Sequence, residues 1–267
     1  MNLSVEPNER VRFEIRHQDE HLLVVSKPAR LPTTPGKGHR SDTLLNGLFA
    51  RFGPQLQNLG RQRDFGMLHR LDKPTSGLLL VALTPGAYDA LADSFRRREL
   101  AKFYYAITRR APAKVPTGAI QRPILEEVTD KKRARVAASG KPALTAYRLV
   151  DQSPAAALLE CRAVTGRLHQ VRVHLASIGC AILGDDLYAN ATVADAAGRL
   201  MLHAHRLAFV HPVTGRPIDV HAPLPRDFLA MLKRTGLQRP SDPTPQAGDP
   251  ARAEATGPGR DPTPQAE

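Results

Sequence analysis

The sequence predicts an α+β fold that contains a mixed sheet with inserted helices. Strand patterns occur in both halves of the chain, and helical patterns lie between them. The alternation lacks the regular strand–helix–strand rhythm that a doubly wound parallel sheet requires. Two pairs of strand patterns are consecutive in the sequence, at 143–150 with 155–164 and at 206–210 with 218–221. These observations favour α+β over α/β.

The first half of the chain begins with a short strand and a helix. The apolar run His21–Val25 predicts a strand that ends at Lys27-Pro28. In Leu44–Phe52 the apolar residues recur at helical spacing, which predicts a helix. Leu78–Leu83 is apolar at every position, so we expect a central strand that is covered on both faces.

A second helix and another strand follow this central strand. Thr84-Pro85 is a favourable helix start, because threonine caps the first turn and proline suits the first helical position. The helix would end at Arg96–Arg98, where positive charge suits the helix dipole. Lys102–Thr108 alternates between two faces and predicts a strand with Lys102 and Tyr104 on the same side.

The second half contains a long basic segment and one further helix. Residues 109–142 are rich in Lys, Arg and Pro, and we expect them to form an exposed loop or hairpin on a basic face. Helical spacing over Leu168–Ile178 predicts a helix that ends at Gly179. His211–Gly215 predicts the turn between the last two strands.

The chain of 267 residues is strongly basic, with 38 Lys and Arg against 26 Asp and Glu and a net charge of +12. Its last part, Arg239–Glu267, is instead slightly acidic, rich in proline and free of Val, Ile, Leu, Phe and Tyr, so we expect a disordered tail. We expect the basic body to bind a polyanion. A solvated basic surface without a partner is the alternative.

Several protein classes are excluded by simple counts. No apolar run approaches the ~18–20 residues needed to cross a membrane, and the segment MNLSVEPNER lacks the apolar region of a secretory signal. Two cysteines, Cys161 and Cys180, are too few for a disulfide framework or a structural zinc site. We therefore expect a soluble, cytoplasmic protein without a metal.

Polar residues interrupt the apolar pattern directly before the predicted central strand. Four potentially charged residues lie there: His69, Arg70, Asp72 and Lys73. In an extended segment Arg70 and Asp72 would share one face, and the turn at 74–77, which includes Thr75, would hold the carboxylate at the strand end. Buried polar groups must be paired. The pattern is consistent either with a functional carboxylate or with an Arg–Asp pair that ties down a loop.

A second polar cluster lies at 165–174. We expect Thr165-Gly166 to open the helix, and His169 and Arg172, three residues apart, to share a flank beside the apolar stripe. A partly buried Arg172 would require a carboxylate partner. The alternative is a surface arginine whose stem packs on apolar neighbours.

Two segments, HRLDKPTSGLLLVA and GRLHQVRVHLASIGCAILGDDLY, resemble the signature motifs of the RluA-type family of RNA pseudouridine synthases. Further blocks match in the family's order: SKPARLPTTPG, KFYYA, GKPALTAYRL, LMLHAHRLAF, HPVTG and APLP. The resemblance covers residues 13–229. It implies a pseudouridine-synthase-like fold, with a mixed, mainly antiparallel sheet, flanking helices and a central basic cleft.

The resemblance also implies roles for individual residues. Asp72 stands at the position of the family's catalytic aspartate, and Tyr104 at that of a tyrosine that stacks on the target base and is a candidate proton acceptor. Arg172 matches the arginine that pairs with the aspartate, with Arg167 as the alternative. Arg70 matches an arginine that helps to displace the target base. The other residues expected to contact RNA are His69, Thr75, Lys102, Arg167 and His169.

The implied reaction breaks the N-glycosidic bond of a uridine in RNA, rotates the base and rejoins it through carbon 5. This isomerisation is redox-neutral and requires no metal and no organic cofactor. Asp72 would act in its ionised form, which a neighbouring arginine favours; whether it attacks the sugar or removes a proton stays open. The expected partner is ribosomal or transfer RNA, with the target uridine flipped out of its stack. We expect the protein to be a monomer.

The catalytic domain is predicted over residues 1–237, without an N-terminal RNA-binding module, and the disordered tail over 238–267. The alternative function is a catalytically idle RNA-binding or ribosome-assembly factor on the same scaffold. The presence of Asp72, Tyr104 and Arg172 together argues against it. An aspartate-dependent glycosidase would require a second carboxylic acid across the bond, and the sequence alone does not indicate one.

Overall fold

The computed structural model describes residues 3–113, 116–127 and 133–241. Five α-helices form within these residues, together with a 3₁₀ helix at Arg61–Gly66. They are α1 (Leu44–Leu59), α2 (Pro85–Arg96), α3 (Gln170–Ser177), α4 (Ala191–Ala194) and α5 (Arg226–Thr235). The strands are β1 (Glu14–Gln18), β2 (Leu22–Lys27), β3 (Ser76–Ala82), β4 (Ala101–Thr108), β5 (Thr117–Gln121), β6 (Ile124–Glu127), β7 (Arg133–Val136), β8 (Leu144–Gln152), β9 (Ala157–Ala163), β10 (Leu202–Val210) and β11 (Pro217–His221).

One large sheet organises the described part of the chain. Its strand order is β1-β2-β3-β10-β4-β9-β8-β5, and β11 pairs with β10. Neighbouring strands are antiparallel except β3 and β10, which run parallel. A mixed, mainly antiparallel sheet with helices packed on it confirms the predicted α+β fold class.

The parallel contact between β3 and β10 is only two residue pairs long, Ser76 with His203 and Gly77 with Ala204, and is called the seam below. Beyond it, β11 pairs with β10 in place of β3. The free edge of β3 is taken by the segment before it: Met67 bridges Val81, and the His69 ring accepts a hydrogen bond from a backbone N–H of β3. The segment that leads to Asp72 therefore runs between two diverging strands.

Gly77 makes the seam possible. Its φ is +116°, a conformation that side chains rarely adopt, and a Cβ there would lie 2.1 Å from the carbonyl oxygen of Ala204. Glycine alone combines this backbone conformation with such a close approach of the neighbouring strand. A side chain at Gly77 would push the two halves of the sheet apart.

Elements with a strong local pattern form as predicted. All seven residues of β3 are buried, as expected for a central strand with both faces covered. The Thr84 side chain accepts a hydrogen bond from the Ala87 N–H and caps α2, with Pro85 at the first helical position. The paired strands β8 and β9, and the hairpin of β10 and β11, are also confirmed.

The structure corrects two predictions about elements. The helix predicted over Leu168–Ile178 begins at Gln170, because His169 has a left-handed backbone (φ 53°, ψ 23°) and the Gln170 side chain holds the preceding loop, accepting from Thr165 Oγ1 and Arg167 N. The segment 109–142 contains the hairpin that was one of its two expected forms, and it contains one strand more than expected. It contributes β5 to the edge of the main sheet beside β8, as well as the hairpin of β6 and β7.

The buried apolar residues form separate clusters on the sheet. One contains residues of α1, β2 and β3, and another contains residues of α3, α5, β4 and β9. Tyr104 packs against both clusters. No helix of the described residues is long and apolar enough to cross a membrane. The predicted disordered tail lies almost wholly outside the described residues, which end at Ser241.

Candidate active site

A cleft of 1220 Å³ opens beside the seam. All nine residues that the sequence predicted for the site line it, although they come from three separate parts of the chain. Asp72 and its neighbours precede β3, Lys102 and Tyr104 lie on β4, and the segment 166–172 leads into α3. The basic side chains of Arg40, Arg61, Arg70 and Arg98 also face this cleft. The fold therefore gathers the two predicted polar clusters at one place.

Asp72 lies at the start of a turn whose backbone is closed by a hydrogen bond from the Thr75 N–H to the Asp72 carbonyl oxygen, at 3.0 Å. Its carboxylate is 23% exposed and faces two basic side chains. Arg172 Nη1 donates to Oδ2 at 3.2 Å, and His169 Nε2 lies 3.7 Å from Oδ1. Each carboxylate oxygen thus has one nitrogen near it, and the group still reaches the cleft.

Arg172 is almost completely buried, with 2% of its side chain exposed. It forms a two-pronged ion pair with the equally buried Asp185, at 2.9 Å from Nε and 2.7 Å from Nη2. Asp186 lies 3.3 Å from Nη2. Burial disfavours the charged guanidinium, but the hydrogen bonds and negative charge of Asp185, together with Asp72, outweigh it and raise the Arg172 pKa. The arginine is therefore a permanent cation beside Asp72.

Arg167, the alternative partner of Asp72, points elsewhere. Its Nε donates to the carbonyl oxygen of Pro142 at 3.1 Å. Arg172 is therefore the arginine that contacts Asp72 in this structure.

Tyr104 is half-buried on β4 between the two apolar clusters. Burial raises the pKa of its phenol above the ordinary value, and the negative charge of Asp72 acts in the same direction. The phenol is therefore protonated throughout the neutral pH range. Tyr104 lines the cleft together with Asp72 and Leu71.

Burial lowers the pKa values of His69 and Lys102. Burial lowers the His69 pKa to about 3, so the ring is neutral, and its Nε2 accepts from Leu80 N at 3.1 Å. Burial also lowers the Lys102 pKa to about 8, and its ammonium lies 5.2 Å from the centroid of the Phe95 ring. His69 thus completes the edge of β3, whereas Lys102 remains a cation at neutral pH.

Arg70 and Thr75 complete the predicted set and differ in exposure. Arg70 is exposed at the mouth of the cleft, while Leu71 beside it is buried, as expected for an extended segment. Thr75 is buried, and its Oγ1 has no hydrogen-bond partner among the residues that the structure describes.

Lys27, at the end of β2, is a functional-site neighbour that the sequence analysis did not single out. Its buried ammonium donates to the carbonyl oxygens of Leu31 at 2.7 Å, Pro28 at 2.9 Å and Lys73 at 3.3 Å. Burial lowers its pKa to about 7, although the charge of Asp72 opposes this shift. The ammonium ties the turn after Asp72 to β2. A lysine at the end of an otherwise apolar strand was the available signal.

Asp185 and Tyr188 were also missed. Both lie in the segment GDDLY, which carried part of the family resemblance without being assigned a role. Besides holding Arg172, Asp185 Oδ1 accepts from the backbone N–H groups of Leu187 at 3.0 Å and Tyr188 at 3.1 Å. The local signal was a pair of consecutive acidic residues directly after Gly184. Among the described residues, no group of three or more His, Cys, Asp or Glu side chains could hold a metal ion.

Comparisons with known proteins agree on one family. A family profile described as RNA pseudouridylate synthase matches residues 21–177. The ribosomal large subunit pseudouridine synthase D of Zymomonas mobilis is 37% identical over 232 residues, which cover 84% of this chain and 73% of that protein. The protein of the same name from Xanthomonas campestris is 38% identical over 234 residues, covering 83% of this chain and 69% of that protein.

A solved structure is similar in fold. Human RNA Pseudouridylate Synthase Domain Containing 4 superposes with a TM-score of 0.66 and 28% sequence identity, covering 85% of this chain and 95% of that one.

Proposed function

Since this chain belongs to the RluA-type family of RNA pseudouridine synthases, and so isomerises uridine in RNA, we propose that Asp72 is the catalytic carboxylate and large-subunit ribosomal RNA the substrate. The observation that carries the first part is the contact between Asp72 and Arg172. The second part is supported by the names of the relatives, two of which are ribosomal large subunit synthases.

The reaction requires an ionised carboxylate that can still reach the substrate. Arg172 stabilises the negative charge from within the protein, while Asp185 satisfies two other nitrogens of the same guanidinium. Asp72 therefore receives one N–H on Oδ2 and keeps lone pairs that face the cleft. Such a group can add to the ribose or remove a proton from it. In either case the proton that carbon 5 of the base loses balances the one that nitrogen 1 gains.

Tyr104 is proposed to stack on the target base. The cost of flipping a base is a few kcal/mol, and stacking on an aromatic ring returns roughly 1–3 kcal/mol. Because burial and Asp72 raise the Tyr104 pKa, the phenol is a hydrogen-bonding acid rather than a phenolate base. Stacking and orientation of the base are therefore the roles that this side chain supports best.

The cations of the cleft are proposed to contact RNA phosphates. Arg40, Arg61, Arg70 and Arg98 line the cleft, and Lys102 is still charged at neutral pH. Phosphate contacts position a nucleic acid without reading its sequence. Choice of the target uridine would then depend on RNA shape and unpaired loops.

The test is the isosteric substitution Asp72→Asn. We expect RNA binding within about twofold of wild type and a loss of pseudouridine formation of at least about 10³-fold. Pseudouridine is mapped by carbodiimide modification and primer extension on transcripts of large-subunit ribosomal RNA and of transfer RNA. Asp227→Asn is the matched control, since Asp227 also pairs with a buried arginine, Arg199, outside the cleft.

Each part of the proposal can fail separately. Wild-type activity of Asp72→Asn would exclude Asp72 as the catalytic group. Modification of transfer RNA alone would contradict the ribosomal substrate. Binding of ribosomal RNA by the wild-type protein without any pseudouridine in either RNA would favour the idle RNA-binding factor.

A further inference from the structure

Tyr188 contacts both side chains that approach Asp72. Its hydroxyl oxygen lies 2.7 Å from Nδ1 of His169, and its ring lies 5.2 Å from the Cζ of Arg172. The backbone N–H of Tyr188 also donates to Asp185, the carboxylate that anchors Arg172. Tyr188, which does not line the cleft, thus contacts His169, Arg172 and Asp185.

The hydrogen bonds of Tyr188 favour one tautomer of His169. The backbone N–H of Ala134 donates to the Tyr188 hydroxyl oxygen at 3.0 Å, and His169 Nδ1 at 2.7 Å is the acceptor available to the hydroxyl proton. A neutral ring that accepts at Nδ1 carries its own proton on Nε2. Nε2 is the atom that lies 3.7 Å from Asp72 Oδ1. The opposite tautomer would place a lone pair against the carboxylate, which is unfavourable.

His169 is also held in an unusual backbone conformation. Its φ of 53° and ψ of 23° lie in the left-handed region, which is unfavourable for a residue with a Cβ. Its carbonyl oxygen accepts from Val173 N at 2.9 Å, so α3 is built directly on this strained residue. Burial lowers the His169 pKa and keeps the ring neutral, although the charge of Asp72 opposes this shift. Strain that the surroundings maintain in this way is typical of functional sites.

We propose that His169 and Tyr188 are positioning residues for Asp72: the Tyr188 hydroxyl selects the Nε2–H form of His169, and this N–H closes onto Asp72 Oδ1 when RNA fills the cleft. Hydrogen bonds in empty active sites are often long and shorten in the substrate complex. The carboxylate would then be held by Arg172 on one oxygen and by His169 on the other. This inference rests on the proposed role of Asp72.

The first test reads the tautomer directly. In the full-length protein labelled with ¹⁵N-histidine, long-range ¹H–¹⁵N spectra distinguish a protonated ring nitrogen from an unprotonated one. We expect His169 to be protonated at Nε2 only, and Tyr188→Phe to give a mixture of both tautomers. Protonation of wild-type His169 at Nδ1 would overturn the proposal whatever the activity.

The second test uses kinetics. Groups that hydrogen-bond to metal ligands contribute about 10–100-fold. For the comparable outer contact here, Tyr188→Phe is expected to lower kcat about tenfold, with KM within twofold of wild type. His169→Gln places an amide N–H near the Nε2 position, whereas His169→Asn places one near Nδ1; we expect Gln to retain at least tenfold more activity than Asn. Tyr147→Phe, on β8 and outside the cleft, is the matched control.

The outcomes separate the two proposals. If Asp72→Asn is inactive while Tyr188→Phe matches wild type, or while the Gln and Asn variants of His169 are equally active, only the positioning role is wrong. If Asp72→Asn is active, the proposed function itself is wrong. A fall in kcat that melting temperature explains, with an unchanged tautomer in Tyr188→Phe, would also contradict the positioning role.

Discussion

Two carboxylates of this molecule have an arginine at one oxygen and a histidine at the other, and they differ in how tightly they are held. Glu160 on β9 lies 2.8 Å from Arg148 and 3.0 Å from His205. Asp72 lies 3.2 Å from Arg172 and 3.7 Å from His169. The first group is outside the cleft, and the second lines it.

The arginine at the more loosely held carboxylate, Asp72, is itself the more firmly held of the two. Arg148 is 56% exposed on the sheet surface, whereas Arg172 is buried and anchored by Asp185. Around Glu160 both basic partners lie within 3.0 Å of the carboxylate oxygens. Around Asp72 the rigid support lies one layer behind, in Asp185 and Tyr188, and the carboxylate itself is left partly free. With Asp72 as the proposed catalytic carboxylate, the comparison indicates that such a group is held indirectly, by the residues that anchor Arg172 and His169.

The largest effect is expected when the ion pair between Asp185 and Arg172, the partner of Asp72, is broken. Asp185→Asn removes the main counter-charge of a buried guanidinium, and loss of one member of a buried pair costs about 3–5 kcal/mol. We expect a decrease of that size in the free energy of unfolding, measured by urea denaturation, together with loss of pseudouridine formation under conditions where the variant is still folded. A variant as stable and active as wild type would show that Asp72 and Asp186 suffice to hold Arg172.

A smaller effect, dependent on pH, is expected at Glu160. Its pKa is lowered to about 2, because its hydrogen bonds and charge contacts with His205 and Arg148 outweigh burial, which acts the other way. The resulting stabilisation is present above the ordinary pKa of 4.5 and is lost as the pH falls toward 2. We expect Glu160→Gln to be less stable than wild type by on the order of 2 kcal/mol at pH 6.

Unfolding measured between pH 6 and pH 2.5 checks this prediction. The two stability curves should converge as the pH falls, while activity at pH 7 is unchanged. A constant difference between wild type and Glu160→Gln at all pH values would mean that lost packing, rather than ionisation, explains the destabilisation.

The smallest effect is expected for Arg148→Gln. Because more than half of the Arg148 side chain is exposed, water and salt screen its contact with Glu160, and such pairs contribute about 0–1 kcal/mol. We expect a decrease in unfolding free energy in this range that disappears in 1 M salt, and no change in activity. A loss of several kcal/mol would contradict the distinction drawn between the two arginines.

The sequence predicted the elements that depend on neighbouring residues. The apolar run of β3 and the Thr84-Pro85 start of α2 each carry their signal within a few positions. The start of α3 was wrong because Gln170 also bonds to Leu144 and Thr145 on β8, about 25 residues away. The strand β5 was missed because it is an edge strand with mostly exposed residues, paired to β8 across the intervening segment.

In the candidate site too, residues that depend on contacts distant in the sequence could not be predicted from local patterns. Asp72 and Arg172 are 100 residues apart, so their spacing could not indicate contact, and the family resemblance supplied the pairing. Asp185 and Tyr188 lie in a loop without periodicity, and only the folded chain shows that they stand behind Arg172 and His169. Their roles depend on the contacts that they make in the folded chain, and the sequence pattern does not indicate these contacts.

The seam between β3 and β10 has a consequence for how catalysis relates to folding. Asp72 lies directly before β3, on one side of the seam. Tyr104, His169 and Arg172 lie on the other side, on β4 and at the start of α3. Within the sheet, only two residue pairs join these two sides, and they involve Ser76 and Gly77 of β3. A displacement of about 1 Å between reacting groups can reduce a rate 10²-fold. Because the pairing across the seam is so short, we expect the rate of pseudouridine formation to respond to small shifts between β3 and β10 that leave the secondary structure unchanged.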